Sequence, residues 1–561
     1  MKLLRLPILA LAALFACPAL AAPARHHMIA VDDPYAAQAA IEMMRQGGSA
    51  VDAAIAAQAV LTLTEPESTG IGGGAFMLLW DPAQKRVTSF DGRETAPASA
   101  TPGMFLDANG KPRPHFDAVP GGLSVGVPGV LAMLELAHKK YGKLAWAKLF
   151  EPAIRLSEKG FPVSEKLART IRAYPQMKKM PDIRAYFYKK NGEPLDQGDV
   201  LKNPALAETL RAIAKNGAKA LYTGRIAQAI VAKVRNAPVN RGGMRLADLA
   251  GYKAKERPPV CGEYRAYKLC SMGPPSSGGI SVLQILGMLE HFPSQKLQPD
   301  SLSEVHLFSE ASRLAFADRA EYMADSDFIP VPVRGLLDAG YLAQRASLID
   351  PRRDMGKAQA GTPPMKHAML LAPQRTPQLP GTSHFSIVDN DGQVVSMTTT
   401  VEFVFGSEMM VKGFFLNNEL TDFSFDPMTG GKPVANAPAP GKRPLSAMSP
   451  TIMFDKDGFR IAIGSPGGPI IIPYVANAIV AMVDGGLSPK EAAALPHHAN
   501  PNIATVLEED TPIVKLAPKL KAMGHDVQIA HMDSGLNIIE KVKGGYIGAS
   551  DPRRDGVAIG D

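Results

Sequence analysis

The spacing of apolar residues divides the chain into a largely helical first part and a strand-rich second part. Apolar positions recur every three to four residues in a series of segments, which is the spacing of one buried helix face. These segments are 35–45, 50–63, 130–137, 144–153, 206–214, 225–234, 280–289, 304–325, 470–484 and 489–494. A short apolar run at 75–80 predicts one early strand, and alternating positions predict strands from residue 382 onward. The pattern therefore predicts an α+β chain.

The clearest alternation begins where a proline-rich segment ends. Residues 351–380 carry proline and basic residues without periodicity, which predicts a linker. Polar and apolar positions alternate over 382–389, a turn follows, and 393–400 is a second β-rich run, so the two runs predict a buried hairpin. A linker that ends at the Gly381–Thr382 bond is typical of a self-cleaving enzyme with a new N-terminal threonine, because the threonine α-amine can serve as the base for its hydroxyl. An ordinary loop-to-strand junction has the same pattern.

Ten short motifs follow one another along the chain. They occupy residues 70–74, 91–97, 126–129, 274–279, 382–400, 405–407, 416–423, 442–446, 464–468 and 548–553. In this order they resemble the γ-glutamyltranspeptidase family, which belongs to the N-terminal-nucleophile hydrolases. The resemblance extends from about residue 28 to the C-terminus. It implies a four-layer α-β-β-α sandwich built from two chains after self-cleavage.

The resemblance also implies how the chain is processed. Thr382 Oγ attacks the Gly381 carbonyl, and an N-to-O acyl shift and hydrolysis release a chain that begins at Thr382. Gly381 suits a distorted scissile peptide because glycine has the widest backbone freedom. The expected products are a large subunit, 22–381, and a small catalytic subunit, 382–561, which stay associated as a heterodimer in one αββα unit.

By the same resemblance, the mature protein is an exported γ-glutamyl hydrolase and transpeptidase. Thr382 attacks the γ-amide of glutathione or a related γ-glutamyl compound, and the acyl-enzyme passes its acyl group to water or to an amino-acid or peptide amine. Thr400 hydrogen-bonds the nucleophile, and the backbone N–H groups of Gly467 and Gly468 stabilise the oxyanion. This chemistry requires no cofactor.

Recognition of a γ-glutamyl group requires partners for one carboxylate and one ammonium. The resemblance places Arg93 as a bidentate clamp for the carboxylate, a task that suits the guanidinium fork. Ser446 adds a hydroxyl donor, and Asp422 faces the ammonium. The alternative for Arg93 is a surface salt bridge with Glu94 or Asp91.

Three positions depart from the family pattern. Beside the expected ammonium, Glu402 replaces the usual asparagine and Glu419 replaces the usual glutamine, while Ala447 replaces the second of two serines. The extra carboxylates either strengthen ammonium binding, or one of them is protonated through repulsion from Asp422 and donates a hydrogen bond. These segments resemble a bacterial branch with cephalosporin-acylase-like members. An acylase of the same fold, acting on cephalosporin or glutaryl-type amides, is therefore the alternative function.

Two further alternatives belong to other classes of protein. Residues 122–126 match the pattern Gly-x-Ser-x-Gly and make Ser124 a candidate nucleophile of a serine α/β-hydrolase. That motif requires a strong apolar strand directly before it, whereas the run here is short and contains Pro120. The other alternative is a catalytically inactive periplasmic binding protein. Every residue needed for cleavage and acyl transfer is present, which argues against this alternative.

Composition indicates a globular, turn-rich protein without a nucleic-acid partner. Of 561 residues, 46% are hydrophobic and 20% charged, with 51 glycines and 48 prolines. The net charge is +7, and no basic run carries interleaved aromatic residues. No later segment has 18 uncharged apolar residues, so no membrane span is expected. The histidine pairs at 26–27 and 497–498 lack a ligand-spaced carboxylate or cysteine, so no metal site is expected either.

The first residues predict export. A basic start, an apolar run at 6–20 and small residues around 19–21 are typical of a secretory signal peptide, residues 1–21. The mature protein is therefore expected to be periplasmic or secreted. Bulky and proline neighbours of Cys17 disfavour lipid anchoring there.

Two other local features leave alternatives open. Cys261 and Cys270 bracket two short strand-like runs joined by a turn, so in an oxidising compartment they form either a hairpin disulfide or two independent buried thiols. The segment between Asp426 and Arg443 is rich in proline and glycine and predicts a mobile loop. We expect it to cover the substrate pocket, with a passive surface loop as the alternative.

Overall fold

Two antiparallel sheets packed face to face, with helices on both outer sides, make up the fold. The computed structural model describes residues 23–365, 372–374 and 381–561. The predicted signal peptide, including Cys17, lies outside the described residues, as do twelve residues of the predicted linker, 366–371 and 375–380. The α+β prediction and the four-layer α-β-β-α prediction are confirmed.

Thirteen strands form the two sheets. They are β1 (Met28–Val31), β2 (Gly74–Asp81), β3 (Arg86–Asp91), β4 (Lys255–Arg257), β5 (Val260–Tyr264), β6 (Tyr267–Ser271), β7 (Thr382–Val388), β8 (Val394–Thr400), β9 (Thr451–Asp455), β10 (Gly458–Gly464), β11 (Asn537–Val542), β12 (Gly545–Ser550) and β13 (Val557–Gly560). One sheet has the order β13-β1-β7-β8-β2-β3-β4, and the other has the order β12-β11-β10-β9-β6-β5. The predicted hairpin, β7 and β8, is central in its sheet and fully buried.

The longer helices form the outer layers. They are α1 (Pro34–Arg45), α2 (Ala50–Thr64), α3 (Val130–Tyr141), α4 (Glu151–Lys159), α5 (Glu165–Ala173), α6 (Pro204–Asn216), α7 (Gly224–Arg235), α8 (Gly278–Leu289), α9 (Leu302–Tyr322), α10 (Ala339–Ala346) and α11 (Ile471–Val483). Shorter helices are His115–Ala118, Pro181–Phe187, Lys219–Tyr222, Leu246–Ala250, Val333–Leu336, Pro489–Ala494 and Ala517–Ala522. Short strand pairs outside the sheets are Phe161–Pro162 with Val200–Leu201, Met410–Val411 with Phe414–Phe415, and Met428–Thr429 with Lys432–Pro433; His498–Ala499, Thr505–Glu508 and Val527–Ala530 form a small third sheet.

Three apolar cores separate the four layers. Helices α1 to α7 pack on the first sheet through a large core that includes Ile55, Met77 and Phe385. A thin core between the sheets contains Leu78 and Ile452, with Val394, Ala462 and others. Helices α8, α9 and α11 pack on the outer face of the second sheet. Strands buried on both faces are expected to be almost continuously apolar, and β2 has this composition.

One local prediction was wrong. The segment 144–153 is not one helix: it forms a 3-10 turn, Trp146–Phe150, followed by α4. The break has a physical reason, because Pro152 is compatible only with the first turn of a helix. Ser277 occupies the N-cap position of α8, but its hydroxyl donates to the Ser446 carbonyl at 2.7 Å instead of capping the helix.

The expected small-subunit strands lie among those of the expected large subunit. In the first sheet, β7 pairs with β1, and β8 pairs with β2. In the second sheet, β9 pairs with β6. The two ends of the described chain also meet, since the N–H groups of Arg25 and His26 donate to the carbonyl of Asp561 at 2.7 and 2.8 Å.

The two remaining cysteines form a disulfide, which decides between the alternatives from sequence. Cys261 and Cys270 are directly opposite each other on β5 and β6. Their Cα atoms are 4.1 Å apart and the S–S distance is 2.07 Å. Because β5 is an edge strand, the bond closes a hairpin at the border of the second sheet.

Candidate active site

The predicted nucleophile and scissile bond lie at the start of the central strand β7. Thr382 and Thr400 are cross-strand partners, and the Thr382 hydroxyl donates to Thr400 Oγ1 at 3.3 Å. Thr400 Oγ1 in turn donates to the Gly381 carbonyl oxygen at 2.5 Å. In the uncut chain, Thr400 thus polarises the carbonyl that Thr382 is expected to attack and orients the attacking hydroxyl.

Glycine at position 381 is also required by close packing. A Cβ atom at this position would lie 2.3 Å from the Glu402 carbonyl oxygen and 2.8 Å from the Phe403 carbonyl carbon. Close approach of two backbone segments therefore adds a second constraint to the predicted need for φ/ψ freedom.

The predicted oxyanion loop lies between β10 and α11. Gly467 and Gly468 both have positive φ, +133° and +59°. Ser465 fixes the loop, because its hydroxyl donates to the Pro466 carbonyl at 2.8 Å and accepts the Gly535 N–H at 3.2 Å. Such a loop can direct successive backbone N–H groups to one point, as an oxyanion site requires.

One cavity brings most of the predicted residues together. Its lining residues are Arg93, Thr382, Thr400, Glu402, Glu419, Asp422, Ser446, Ala447, Met448, Gly468 and Ile471. The predicted nucleophile and the predicted recognition residues therefore line a single cavity. Gly467 is not part of the lining; it packs against the ring of Tyr474.

Arg93 is buried and paired with the carboxylates that the sequence assigned to the substrate ammonium. Its Nη1 donates to Glu419, and its Nη2 donates to Asp422 at 2.5 Å. Nε donates to the Pro444 carbonyl at 3.1 Å, and Nη2 also donates to the Leu445 carbonyl at 2.8 Å. The surface salt bridge considered as an alternative is wrong, since the Arg93 side chain is only 1% exposed.

The two carboxylates on Arg93 differ in their other contacts. Asp422 Oδ1 is buried without a hydrogen-bond donor, whereas Glu419 also lies within hydrogen-bonding reach of the Glu94 carboxyl. Burial, with a contribution from the charge of Asp422, raises the pKa of Glu419 to about 7 despite the opposing effects of Arg93 and of the Glu94 hydrogen bond. Burial also raises the pKa of Asp422, again against the effect of Arg93. A cationic group entering the cavity would therefore meet an acceptor, Asp422 Oδ1, that lacks a donor.

Glu94 is a functional candidate that the sequence reasoning treated only as a possible partner of Arg93. It is fully buried beside Glu419, within hydrogen-bonding reach of that carboxylate. Burial, together with the neighbouring charge of Glu419, raises the pKa of Glu94 well above its usual value against the effect of Arg93, and so favours its protonated form. Its position directly after Arg93 in the 91–97 motif was the available signal.

Glu402 and Ser446 complete the cavity. Glu402 has φ +80°, its N–H donates to Thr400 Oγ1 at 2.8 Å, and its carboxylate accepts from Asn418. Left-handed backbone is uncommon outside glycine, asparagine and aspartate, so Glu402 is held in place by these contacts. Ser446 accepts the Met448 N–H at 3.2 Å, which leaves its own hydroxyl proton for another acceptor.

The proline-rich loop is only partly exposed. Its first half is the short hairpin at 428–433, whereas Asn436 is fully buried. Asn436 donates to the Asp422 carbonyl at 2.7 Å and accepts the Leu445 N–H at 3.0 Å. The second half is therefore a fixed support of the site, and no residue of 427–441 is among the cavity-lining residues. A lid function of the hairpin stays a prediction.

Ser124 does not have the environment of a nucleophile. It is fully buried, and its hydroxyl donates to the carbonyls of Val119 and Gly121 at 2.7 and 3.1 Å. No strand precedes it directly. The serine α/β-hydrolase alternative is wrong.

One group in the described part of the chain has donor atoms close enough to hold a metal ion, and the sequence reasoning did not consider it. His306, Glu310 and His525 converge within 4.8 Å. The two imidazoles, however, hydrogen-bond each other at 2.7 Å, and Arg313 lies 3.3 Å from Glu310. These contacts form a hydrogen-bond and ion-pair network that joins α9 to the C-terminal part of the chain.

Fold and site define the class of the protein, and the comparisons define its family. Two central sheets between helical layers, with a threonine opening a central strand, make it an N-terminal-nucleophile hydrolase. Residues 36–561 match the model of the family described as Gamma-glutamyltranspeptidase. The chain belongs to the γ-glutamyltranspeptidase family.

Relatives from the curated proteins cover most of the chain. The glutathione hydrolase proenzyme of Bacillus subtilis (strain 168) is 39% identical, over 95% of this chain and 91% of its own length. The glutathione hydrolase proenzyme of Escherichia coli (strain K12) is 38% identical, over 94% and 91%. The acylase ACY 1 proenzyme of Pseudomonas sp. (strain SE83) is 33% identical, over 97% and 95%.

Solved structures give the same fold. The cephalosporin acylase from Bacillus halodurans superposes with a TM-score of 0.83 at 27% identity, over 99% of both chains. The γ-glutamyltranspeptidase of Helicobacter pylori superposes with a TM-score of 0.55 at 37% identity, over 57% of this chain and 90% of that one. Among the described helices, none has the length and apolar character needed to cross a bilayer.

Proposed function

We propose that this protein is a self-processing γ-glutamyl hydrolase and transpeptidase that uses Thr382 as an N-terminal nucleophile. The observation that carries the proposal is a single cavity lined by the Thr382–Thr400 pair and by Arg93 with its carboxylate partners Glu419 and Asp422. The relatives named as glutathione hydrolase proenzymes support both the chemistry and the processing.

In the first stage, Thr382 Oγ attacks the Gly381 carbonyl, whose oxygen is polarised by Thr400. The peptide is converted to an ester, and water then releases the large subunit, 22–381, from the small subunit, 382–561. The tight packing of Gly381 against Glu402 and Phe403 holds the scissile bond in one place during attack.

In the second stage, the free α-amine of Thr382 takes the proton from Oγ, which attacks the γ-amide of glutathione or a related compound. The N–H groups of Gly467 and Gly468 receive the developing oxyanion. As the intermediate collapses, the amide C–N bond breaks and the α-ammonium of Thr382 returns the proton to the leaving amine, which leaves a γ-glutamyl ester on Oγ. The acyl-enzyme then transfers the γ-glutamyl group to water or to the amine of an amino acid or peptide.

Donor recognition involves an exchange of partners at Arg93. Its guanidinium is occupied by Glu419 and Asp422 before substrate enters. A γ-glutamyl headgroup brings both a carboxylate, which replaces them on Arg93, and an ammonium, which they bind in turn. Glu402 and the hydroxyl of Ser446 complete the two ends. The exchange keeps each buried charge paired, which is the condition for burying charges at all.

The second candidate is an acylase that acts on glutaryl-type or cephalosporin side chains, which lack the ammonium. Its supporting observations are the acylase relatives and the replacement of a donor-capable side chain by a carboxylate at Glu402 and Glu419. A glutaryl carboxylate would displace Glu419 or Asp422 from Arg93 without offering a cation in return. The displaced carboxylate would then have to take up a proton.

The experiment has two steps. Intact mass under denaturing conditions and N-terminal sequencing establish whether a chain begins at Thr382, with Thr382→Ala as the uncut control. The mature enzyme is then assayed on γ-glutamyl and glutaryl p-nitroanilides, which differ only in the ammonium. We expect kcat/KM to favour the γ-glutamyl substrate, and Glu419→Gln and Asp422→Asn to reduce that preference about 10- to 100-fold, the effect of losing one charged hydrogen bond. A glutaryl preference that these variants leave unchanged would identify the acylase.

The cellular setting is part of the proposal. The predicted signal peptide and the disulfide support an exported protein that matures in an oxidising compartment. The interleaved strands support a heterodimer that persists after cleavage.

A further inference from the structure

The nucleophile lies on a part of β7 that extends beyond its neighbour. Strand β7 pairs with β8 along its whole length, from Thr382 opposite Thr400 to Val388 opposite Val394. On its other side, β1 reaches only as far as Val31, opposite Phe385. The first three residues of β7 therefore have a strand on one side only.

In an antiparallel strand, the N–H and C=O of a residue point to the same edge, and successive residues alternate between edges. Thr382 and His384 therefore direct their backbone groups to the edge that β1 leaves uncovered. Buried backbone groups need hydrogen-bond partners. These must come from outside the sheet.

Three side chains supply partners for three of these four backbone groups, and we refer to Asp32, Asn537 and Arg554 as the edge clamp. Arg554 Nη1 donates to the Thr382 carbonyl at 3.1 Å. Asp32 accepts the His384 N–H at 3.2 Å, and Asn537 donates to the His384 carbonyl at 2.9 Å. The clamp thus occupies the positions that a longer β1 would have filled.

The clamp is internally connected and almost completely buried. Asn537 also donates to Asp32 Oδ1 at 2.7 Å, and Arg554 Nη1 lies 3.5 Å from Asp32 Oδ2. Arg554 Nε donates to the Ser534 carbonyl at 2.8 Å, and its side chain is 4% exposed. The carboxylates of Asp533, Glu65 and Asp551 also act on Arg554, and Lys166 acts on it with the opposite sign. With its charge balanced in this way, Arg554 acts on Thr382 through a directed hydrogen bond.

Cleavage makes this hydrogen bond more important. In the precursor, the chain on both sides of Thr382 restrains it, but after cleavage only the chain that follows does. The new α-amine emerges on the same edge as the Thr382 carbonyl, the edge that Arg554 occupies. Because the amine must reach its own Oγ, small rotations of this residue separate the base from the nucleophile.

We propose that Arg554 is a positioning residue which, in place of a missing strand, holds the main chain of Thr382 after cleavage and so keeps its amine and hydroxyl in reactive geometry. The proposal rests on the proposed role of Thr382 as nucleophile. It assigns Arg554 no contact with substrate.

The test compares three variants of the full-length protein. Arg554→Met keeps volume but removes the donors, Arg554→Lys keeps one charged donor, and Arg345→Met removes another buried arginine. Arg345 also pairs with an aspartate, Asp318, and donates to two carbonyls, so its loss is a matched control for general destabilisation. The readouts are melting temperature, extent of cleavage, kcat and KM on a γ-glutamyl anilide.

We expect Arg554→Met to lower kcat about 10- to 100-fold with KM within about twofold, because a displacement of the nucleophile by about 1 Å is costly while the Arg93 end of the cavity is untouched. Arg554→Lys should recover part of kcat. Arg345→Met should lose similar thermal stability with kcat unchanged. A folded Arg554→Met chain that stays uncut while Arg345→Met is cut would contradict the proposal, since it would place the role of Arg554 in the precursor, where the chain on both sides already restrains Thr382.

A folded Arg554→Met enzyme with kcat within twofold of wild type would overturn the proposal. So would an equal loss of kcat in Arg345→Met, or a loss confined to KM. Failure of the proposed function itself is separately visible. In that case Thr382→Ala is still cut, or the wild-type protein does not hydrolyse the γ-glutamyl anilide.

Discussion

At the scale of single residues, Gly467 tests whether the loop before α11 forms the oxyanion site. Its φ is +133°, and a Cβ would lie 2.7 Å from the Tyr474 ring, so Gly467→Ala must displace the loop. We expect kcat to fall about 100-fold, about 3 kcal/mol of lost oxyanion stabilisation, with KM little changed. Steady-state kinetics check this. Gly486→Ala is the control: Gly486 also has a positive φ, but a Cβ added there would have no atom within 4 Å, so this variant should keep full kcat. Wild-type kcat in Gly467→Ala would contradict the assignment.

His384 tests the electrostatics of the same strand. It is fully buried, with Nδ1 2.8 Å from Thr398 Oγ1, and burial lowers its pKa to about 3. A group whose folded pKa is lowered contributes stability above its unfolded pKa, here about 6.5, and this is lost as the pH falls toward 3. Acidification from pH 7.5 to 5 should therefore lower the free energy of unfolding of the wild-type protein by about 2 kcal/mol more than that of His384→Asn. Urea unfolding at both pH values measures the difference, and parallel losses would contradict the shift.

What the sequence predicts at this scale depends on whether a residue belongs to a recognisable motif. Thr382, Thr400 and Arg93 stand in such motifs, and the structure places all three at one cavity. The pairing of Arg93 with Glu419 was not predicted, because no motif shows which buried charges face one another when substrate is absent. Arg554 was missed for a related reason: its partner is a backbone carbonyl, which leaves no sequence pattern.

At the scale of elements, the disulfide between β5 and β6 gives a local prediction. Replacing Cys261 and Cys270 together by serine opens a loop of about ten residues, which in the chain-entropy model costs about 3 kcal/mol. The hairpin lies at a sheet edge, away from the cavity-lining residues. We expect a lower urea midpoint and unchanged kcat and KM. A loss of activity in the folded double variant would show that this edge is coupled to the site.

Most long helices and the central hairpin could be predicted from spacing alone, because their periodicity is local. The strand order could not. Strand β1 pairs with β7 more than 350 residues later, and nothing in either segment specifies its partner. The early end of β1, which creates the need for the edge clamp, is equally invisible in sequence. The helix break before Pro152 is predictable from the residue itself, because proline is compatible only with the first turn of a helix.

At the scale of the whole molecule, strand order predicts how the processed enzyme behaves. Strands β7 and β8 of the small subunit pair with β1 and β2 of the large one, so separating the subunits requires dismantling a central sheet. We expect both chains to co-elute in gel filtration after complete cleavage and to unfold in one cooperative transition. The measurement is size exclusion with denaturing electrophoresis of each fraction. Free small subunit in native buffer would contradict this expectation.

The meeting of the chain ends has a consequence for how the nucleophile is made. Because Arg25 and His26 hydrogen-bond to Asp561, a linker of about five residues can join the last residue to residue 23. New ends can then be opened between Gly381 and Thr382. Such a circular permutant begins at Thr382 once its initiator methionine is removed, so translation and not autoproteolysis creates the reactive amine. It should hydrolyse γ-glutamyl anilides as a single chain, and a folded but inert permutant would show that the act of cutting does more than expose an amine.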